Sequence, residues 1–206
     1  MNKPGFKPYF RFASEGWMLT APLLLLAGWA GHEAHWALMA VAAVPALLLL
    51  VLFHDPDRHI PPSPLGIVAP VDGIVESVET VQDPVLKREA QRIRICVAWT
   101  GAYSLRSPSE GMVCAPPARV AGRPTSWVRT DEGDSVLVVC SEGSLLGTVP
   151  LRIPYGQRVG QGKRCGMRRL ARQIDVYVPA GCRVEAEVGQ RVRSGADLIA
   201  TLLRRS

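Results

Sequence analysis

The sequence predicts a mainly β domain, built as a barrel or sandwich, behind an N-terminal membrane helical hairpin. Three observations carry this. Residues 18–53 are almost entirely apolar, whereas the rest of the chain is Gly/Pro-rich and moderately charged. From residue 91 onward apolar side chains alternate, as in Ile93, Ile95 and Val97 and again in Val136, Val138 and Cys140, the period of a half-buried strand. Finally, Gly156-Gln-Arg-Val-Gly-Gln-Gly162 recurs in altered form as Gly189-Gln-Arg-Val-Arg-Ser-Gly195, which suggests paired hairpin modules within one small domain.

The N-terminal segment, residues 1–16, carries Lys3, Lys7 and Arg11 against one acid, Glu15. Residues 17–53 hold two apolar runs, Trp17 to Ala30 and Trp36 to Phe53, separated by the polar break Gly31 to His35. A spanning helix needs roughly 17–25 residues, so the second run qualifies and the first is short. A signal peptide fits less well, because no small-residue cleavage site is evident and the apolar stretch runs on too far. Basic residues flank the hairpin on both outer sides and are missing from its tip, which places both termini in the cytoplasm. The expected location is the cytoplasmic membrane, with the β domain on its cytoplasmic side.

Residues 54–206 are punctuated by proline and glycine about every ten residues and contain no amphipathic helix. Asp72-Gly73 reads as a turn between two apolar runs. The strand Gln173 to Val178 puts Ile174, Val176 and Val178 on one face. Short strands with the two glycine-rich repeats suggest hairpins like those of lipoyl and biotinyl carriers. A carrier needs a modifiable lysine at a hairpin tip, and neither Lys87 nor Lys163 sits in such a motif, so carriage is set aside.

Composition narrows the partners. A formal charge of +6 without aromatic residues interleaved among the cations argues against nucleic acid; beside a membrane segment, anionic headgroups are the better partner. The five cysteines (Cys96, Cys114, Cys140, Cys165, Cys182) are an odd number with no CxxC pair, which indicates neither a disulfide framework nor a metal site.

The segment Gly160 to Pro179, GQGKRCGMRRLARQIDVYVP, resembles the closing segment of the short, membrane-associated phosphatidylserine decarboxylases, approximately G-E-R-F-G-x-I-R-F-G-S-R-V-D-V-Y-L-P. The resemblance extends to Glu15-Gly-Trp17, to Leu52-Phe-His-Asp-Pro-Asp-Arg-His-Ile-Pro61 and to Gly66-Ile-Val-Ala-Pro-Val-Asp-Gly-Ile-Val75. It implies a phospholipid partner resembling phosphatidylserine, in the synthesis of phosphatidylethanolamine, and admits a homo-oligomer. In the family a Gly-Ser pair cuts itself and the serine becomes a pyruvoyl group. The corresponding pair here is Ala171-Arg172. The family's histidine, in M-S-P-F-D-V-H-V-N-R-A-P, falls on Tyr103, while Arg106 and Pro108 match. Asp72, part of the family's self-processing machinery, is retained.

Self-cleavage needs a hydroxyl that attacks the preceding carbonyl and then serves as the leaving oxygen. Arg172 supplies neither, and no Ser, Thr or Cys occurs between Gly166 and Gly181. Tyrosine, with an ordinary pKa near 10, is a poor general base at neutral pH. The expectation is therefore a degenerate relative with no pyruvoyl and no other cofactor. Two rivals stand beside it: an active decarboxylase processed at Gly143-Ser144, the chain's only Gly-Ser pair, and a non-enzymatic lipid-binding or regulatory protein. Arg106, Arg168, Arg169 and Arg172 are candidates to meet a lipid phosphate or carboxylate. Arg172, as a buried cation, is expected to lie against Asp72 or another acid or else to reach the surface, and Asp72 is expected near both Tyr103 and Arg172.

Overall fold

The computed structural model describes residues 13–115, 125–142, 153–168 and 171–203. Two compact units emerge: a helical one that includes the chain up to Asp57 and Thr100–Tyr103, and a β unit comprising Arg58–Trp99 and the chain from Ser104 onward.

In the helical unit, α1 (Ser14–His32) and α2 (Trp36–Leu52) pack against each other. The break falls where the polar residues predict it, with Ala34 at φ +58° and the His35 N–H bonded to the Ala30 carbonyl at 2.8 Å. Small residues are buried, namely Thr20, Ala30, Ala42 and Ala46, while Met18, Leu25, Val41, Leu47 and Leu48 are exposed. Small side chains let helices approach closely. The outward face is apolar, the reverse of an ordinary soluble helix pair. Among the described residues no helix is long and apolar enough to cross a membrane; α2, with 17 residues, extends about 26 Å against a hydrocarbon core of roughly 30 Å.

The β unit contains β1 (Gly66–Val68), β2 (Gly73–Gln82), β3 (Glu89–Val97), β4 (Ser104–Arg106), β5 (Gly111–Cys114), β6 (Thr125–Arg129) and β7 (Ser135–Glu142). The remaining strands are β8 (Arg158–Val159), β9 (Arg164–Met167), β10 (Gln173–Pro179), β11 (Arg183–Val184), β12 (Arg191–Val192) and β13 (Leu198–Thr201). Eight form one curled sheet in the order β12-β2-β3-β10-β7-β6-β5-β8; β1-β13-β11 and β4-β9 form two small sheets. The alternating residues read from the sequence face one core, where Ile93, Ile95, Val136, Val138, Ile174, Val176 and Val178 are buried together. A second cluster on other side chains of the same strands joins Leu137, Val139 and Tyr177. The β2–β3 hairpin is closed by Asp83, whose carboxylate accepts the N–H groups of Val85 and Leu86 at 2.7 and 2.9 Å.

The eight-stranded order is symmetric about the β10–β7 pair, and the hydrogen bonds repeat accordingly. The Val68 N–H donates to Pro108 and the Arg106 N–H to Pro70, at 2.8 and 2.9 Å. Gly156 donates to Val113 as Gly189 does to Val75, each at 2.8 Å. Both glycines have positive φ, +82° and +86°, a conformation that costs glycine little. The two GQRV segments are thus equivalent, as the repeat predicts. They are not local hairpins: β8 pairs with β5 and β12 with β2, both distant in sequence. The symmetry also exposes a repeat 38 residues apart, Pro70-Val-Asp-Gly-Ile-Val75 with Pro108-Ser-Glu-Gly-Met-Val113.

A second correction concerns Asp72-Gly73. It does not join two paired strands, because β1 lies in the small sheet with β13 and β2 in the large one. The glycine is required by crowding instead: a Cβ at Gly73 would lie 2.2 Å from the Cys96 carbonyl oxygen.

Candidate functional site

Asp72 and Arg172 immediately precede β2 and β10, the two strands that flank β3. Gly73 lies opposite Val97, and Gln173 opposite Cys96, so both strands start at the same end of β3. The Val97 N–H donates to the Arg172 carbonyl and the Ala98 N–H to the Asp72 carbonyl, both at 2.8 Å. Two residues a hundred positions apart are thereby held on consecutive amides of one strand end.

The Asp72 side chain is buried and fully engaged. Arg58 grips it through both terminal nitrogens, with Nη2 2.7 Å from Oδ2. The Ser194 N–H donates to Oδ1 at 2.6 Å, and the Ser194 hydroxyl donates to the Pro70 carbonyl at 2.9 Å. A two-pronged guanidinium bond and a backbone amide are the strong partners for a buried carboxylate. Asp72 thus ties the segment leaving the helices to the second GQRV repeat. Arg58 and Ser194 were not singled out in the sequence; a search for P-x-[DE]-G-x-V would have revealed the repeat around Asp72, but nothing local marks its partners.

At the start of β10 the two aligned residues separate. Ala171 is buried and its N–H bonds to the Arg168 carbonyl at 2.8 Å, whereas the Arg172 side chain is exposed. Of the two outcomes expected for Arg172, it reaches the surface. The interior position is taken by Arg168, 1% exposed, whose Nη1 and Nη2 donate to the carbonyls of Ala98 and Trp99 at 2.5 and 2.6 Å. Arg106 is also buried and donates to the Gly162 carbonyl at 3.1 Å. Neither guanidinium faces solvent, so neither is presented to an external phosphate. Arg169 and the Gly143-Ser144 pair lie outside the described residues.

Tyr103 belongs to the helical unit. It is buried, its N–H bonds to the His54 carbonyl at 2.9 Å, and its ring lies 4.6 Å from that of Phe53 at 52°. Burial pushes the thiols of Cys140 and Cys165 up to about 12 and that of Cys182 to about 11, which leaves all three protonated and unreactive near neutrality. Among the described residues no group of His, Cys, Asp or Glu could hold a metal ion.

Comparison with known proteins supplies the family. No family model matches the chain. A phosphatidylserine decarboxylase proenzyme of Nitrosomonas eutropha is 30% identical over 209 residues, covering 95% of this chain and 97% of the relative. One from Nitrosomonas europaea is 29% identical over 97% of this chain and 99% of its own, and one from Burkholderia ambifaria is 30% identical over 81% and 94%. This chain belongs to the phosphatidylserine decarboxylase family. A likeness to the glucose permease IIA protein of Mycoplasma capricolum, at 16% identity and TM-score 0.43 over 66% of this chain, is too loose to add to that.

The family's self-derived pyruvoyl group does not fit the residues of this phosphatidylserine decarboxylase relative. The turn before β10 offers the methyl of a buried Ala171 and an exposed guanidinium at Arg172. No hydroxyl there could attack a carbonyl or leave from a β carbon.

Proposed function

We propose that this chain is a membrane-anchored phosphatidylserine decarboxylase relative that remains a single uncut polypeptide, forms no pyruvoyl group and does not decarboxylate phosphatidylserine. The observation that supports this is Arg172, an exposed guanidinium at the position aligned with the family's reactive serine. With catalysis lost, association with phospholipid is the function that the remaining features favour. The paired helices expose Leu25, Leu47, Leu48 and Val51 outward, a surface that lipid tails would cover at no desolvation cost. Lys3, Lys7 and Arg11 precede the hairpin and Arg58 follows it, so both termini and the β unit lie on the cytoplasmic side.

Two measurements test this. Intact-mass spectrometry of the purified chain is expected to give one uncut species; two fragments, the second with a pyruvoyl N-terminus, would point instead to processing elsewhere. Release of CO₂ from carboxyl-labelled phosphatidylserine is expected to equal that of a preparation blank. Turnover clearly above the blank overturns the proposal.

A further inference from the structure

Two backbone carbonyls, those of Ala98 and Trp99, converge on one guanidinium where β3 ends. The place is not incidental. Ala98 donates its own N–H to the Asp72 carbonyl, and the residue that fills the space, Arg168, accepts the Ala171 N–H. The pocket therefore bridges the retained aspartate and the altered cleavage pair.

A fully buried cation is tolerated only where its N–H groups find acceptors. Two of its acceptors here are backbone carbonyls that converge on one position. Such a pair suits any compact cation with at least two N–H donors, and offers nothing to a cation without them. We propose that the Ala98 and Trp99 carbonyls form a cation site for a guanidinium or primary ammonium group, filled in this chain by its own Arg168. Arg168 then acts as a resident occupant that keeps an amine-bearing headgroup out of this position. This consequence rests on reading the chain as a non-cleaving family member; the site itself stands on the two hydrogen bonds.

The test uses the full chain in detergent micelles. Arg168→Ala takes the guanidinium donors from two part-buried carbonyls and is expected to lower Tm by roughly 10 °C. Millimolar methylguanidinium chloride should recover about half of that loss by refilling the site, and ethylammonium chloride a smaller part. Tetramethylammonium chloride at the same concentration, with no N–H to donate, should recover none, and the wild type should respond to none of the three. Arg168→Lys should have an intermediate Tm, because an ammonium lacks the two-pronged geometry. If Arg168→Ala does not fold alone, refolding yield becomes the readout: a rise with methylguanidinium and not with tetramethylammonium supports the site. An unchanged Tm in Arg168→Ala, no recovery, or equal recovery by all three cations overturns it. Decarboxylation by the wild type would overturn the proposed function while leaving the methylguanidinium recovery intact, so the two failures are distinct.

Discussion

Asp72 and Arg172 hold matching places on the strands either side of β3, bonded through their carbonyls to the successive amides of Ala98 and Val97. Their proximity is a property of the sheet and does not depend on chemistry between their side chains. The Asp72 carboxylate turns to Arg58 and Ser194, and the Arg172 guanidinium turns to solvent. The Asp72 carboxylate thus has a structural role in tying Arg58 to the Ser194 amide.

Asp72→Asn tests that role. It removes the charge that Arg58 and the Ser194 amide meet, leaving a part-buried guanidinium without its carboxylate. The expected loss is about 3 kcal/mol in stability, read as a fall in Tm in detergent. An Asp72→Asn chain as stable as the wild type would show that the carboxylate is not the tie described.

Gly73→Ala and Gly181→Ala form a matched pair. A Cβ at Gly73 would fall 2.2 Å from backbone oxygen, whereas one at Gly181 meets nothing within 4 Å. The first is expected to cost several kcal/mol or prevent folding, since the neighbour is main chain that must shift. The second should stay within about 0.5 kcal/mol of wild type, or gain slightly through the unfolded chain.

The buried cysteines predict an alkaline limit. In the unfolded chain their thiols ionise near the ordinary 9.0, while in the fold Cys140 and Cys165 are held up to about 12 and Cys182 to about 11. Between these values the unfolded chain binds fewer protons than the folded one, so stability falls as pH rises through that window and is unaffected by these groups below it. Iodoacetamide at neutral pH should label exposed Cys96 first and half-buried Cys114 more slowly, with the other three modified only on denaturation. Rapid native labelling of Cys140 would contradict its burial.

Reversion of the altered machinery should be cooperative. Arg172→Ser, Ala171→Gly and Tyr103→His supply the nucleophile, the flexible preceding residue and the base, which act as a unit. Each alone is expected to reach less than about a tenth of the triple variant's rate of CO₂ release. A single reversion matching the triple would show that the other two positions are immaterial.

Topology has a direct measure. A reporter active only in the cytoplasm, fused after Ser206, should be active, because the basic residues lie outside the hairpin and not at its tip. An inactive cytoplasmic reporter paired with an active external one would reverse the assignment.

What the sequence determined by itself was local or repetitive. The turn between α1 and α2 follows from the polar break at Gly31 to His35, although α1 itself runs on to His32, and the core faces of β3, β7 and β10 follow from alternation, since one buried side imposes period two. The GQRV repeat was legible because glycines at fixed offsets meet the same positive φ in both copies. The family, too, was written in ordered motifs. What only the tertiary structure decided depends on which distant backbones run side by side. Asp72-Gly73 reads as a hairpin turn until β1 and β2 part into different sheets. Arg58 looks like a solvated cation until it meets Asp72. Arg168 and Arg172 are indistinguishable as letters, yet one is buried on two carbonyls and the other exposed, because a guanidinium goes inside only where acceptors already converge, and the end of β3 supplies them at one position and not the other.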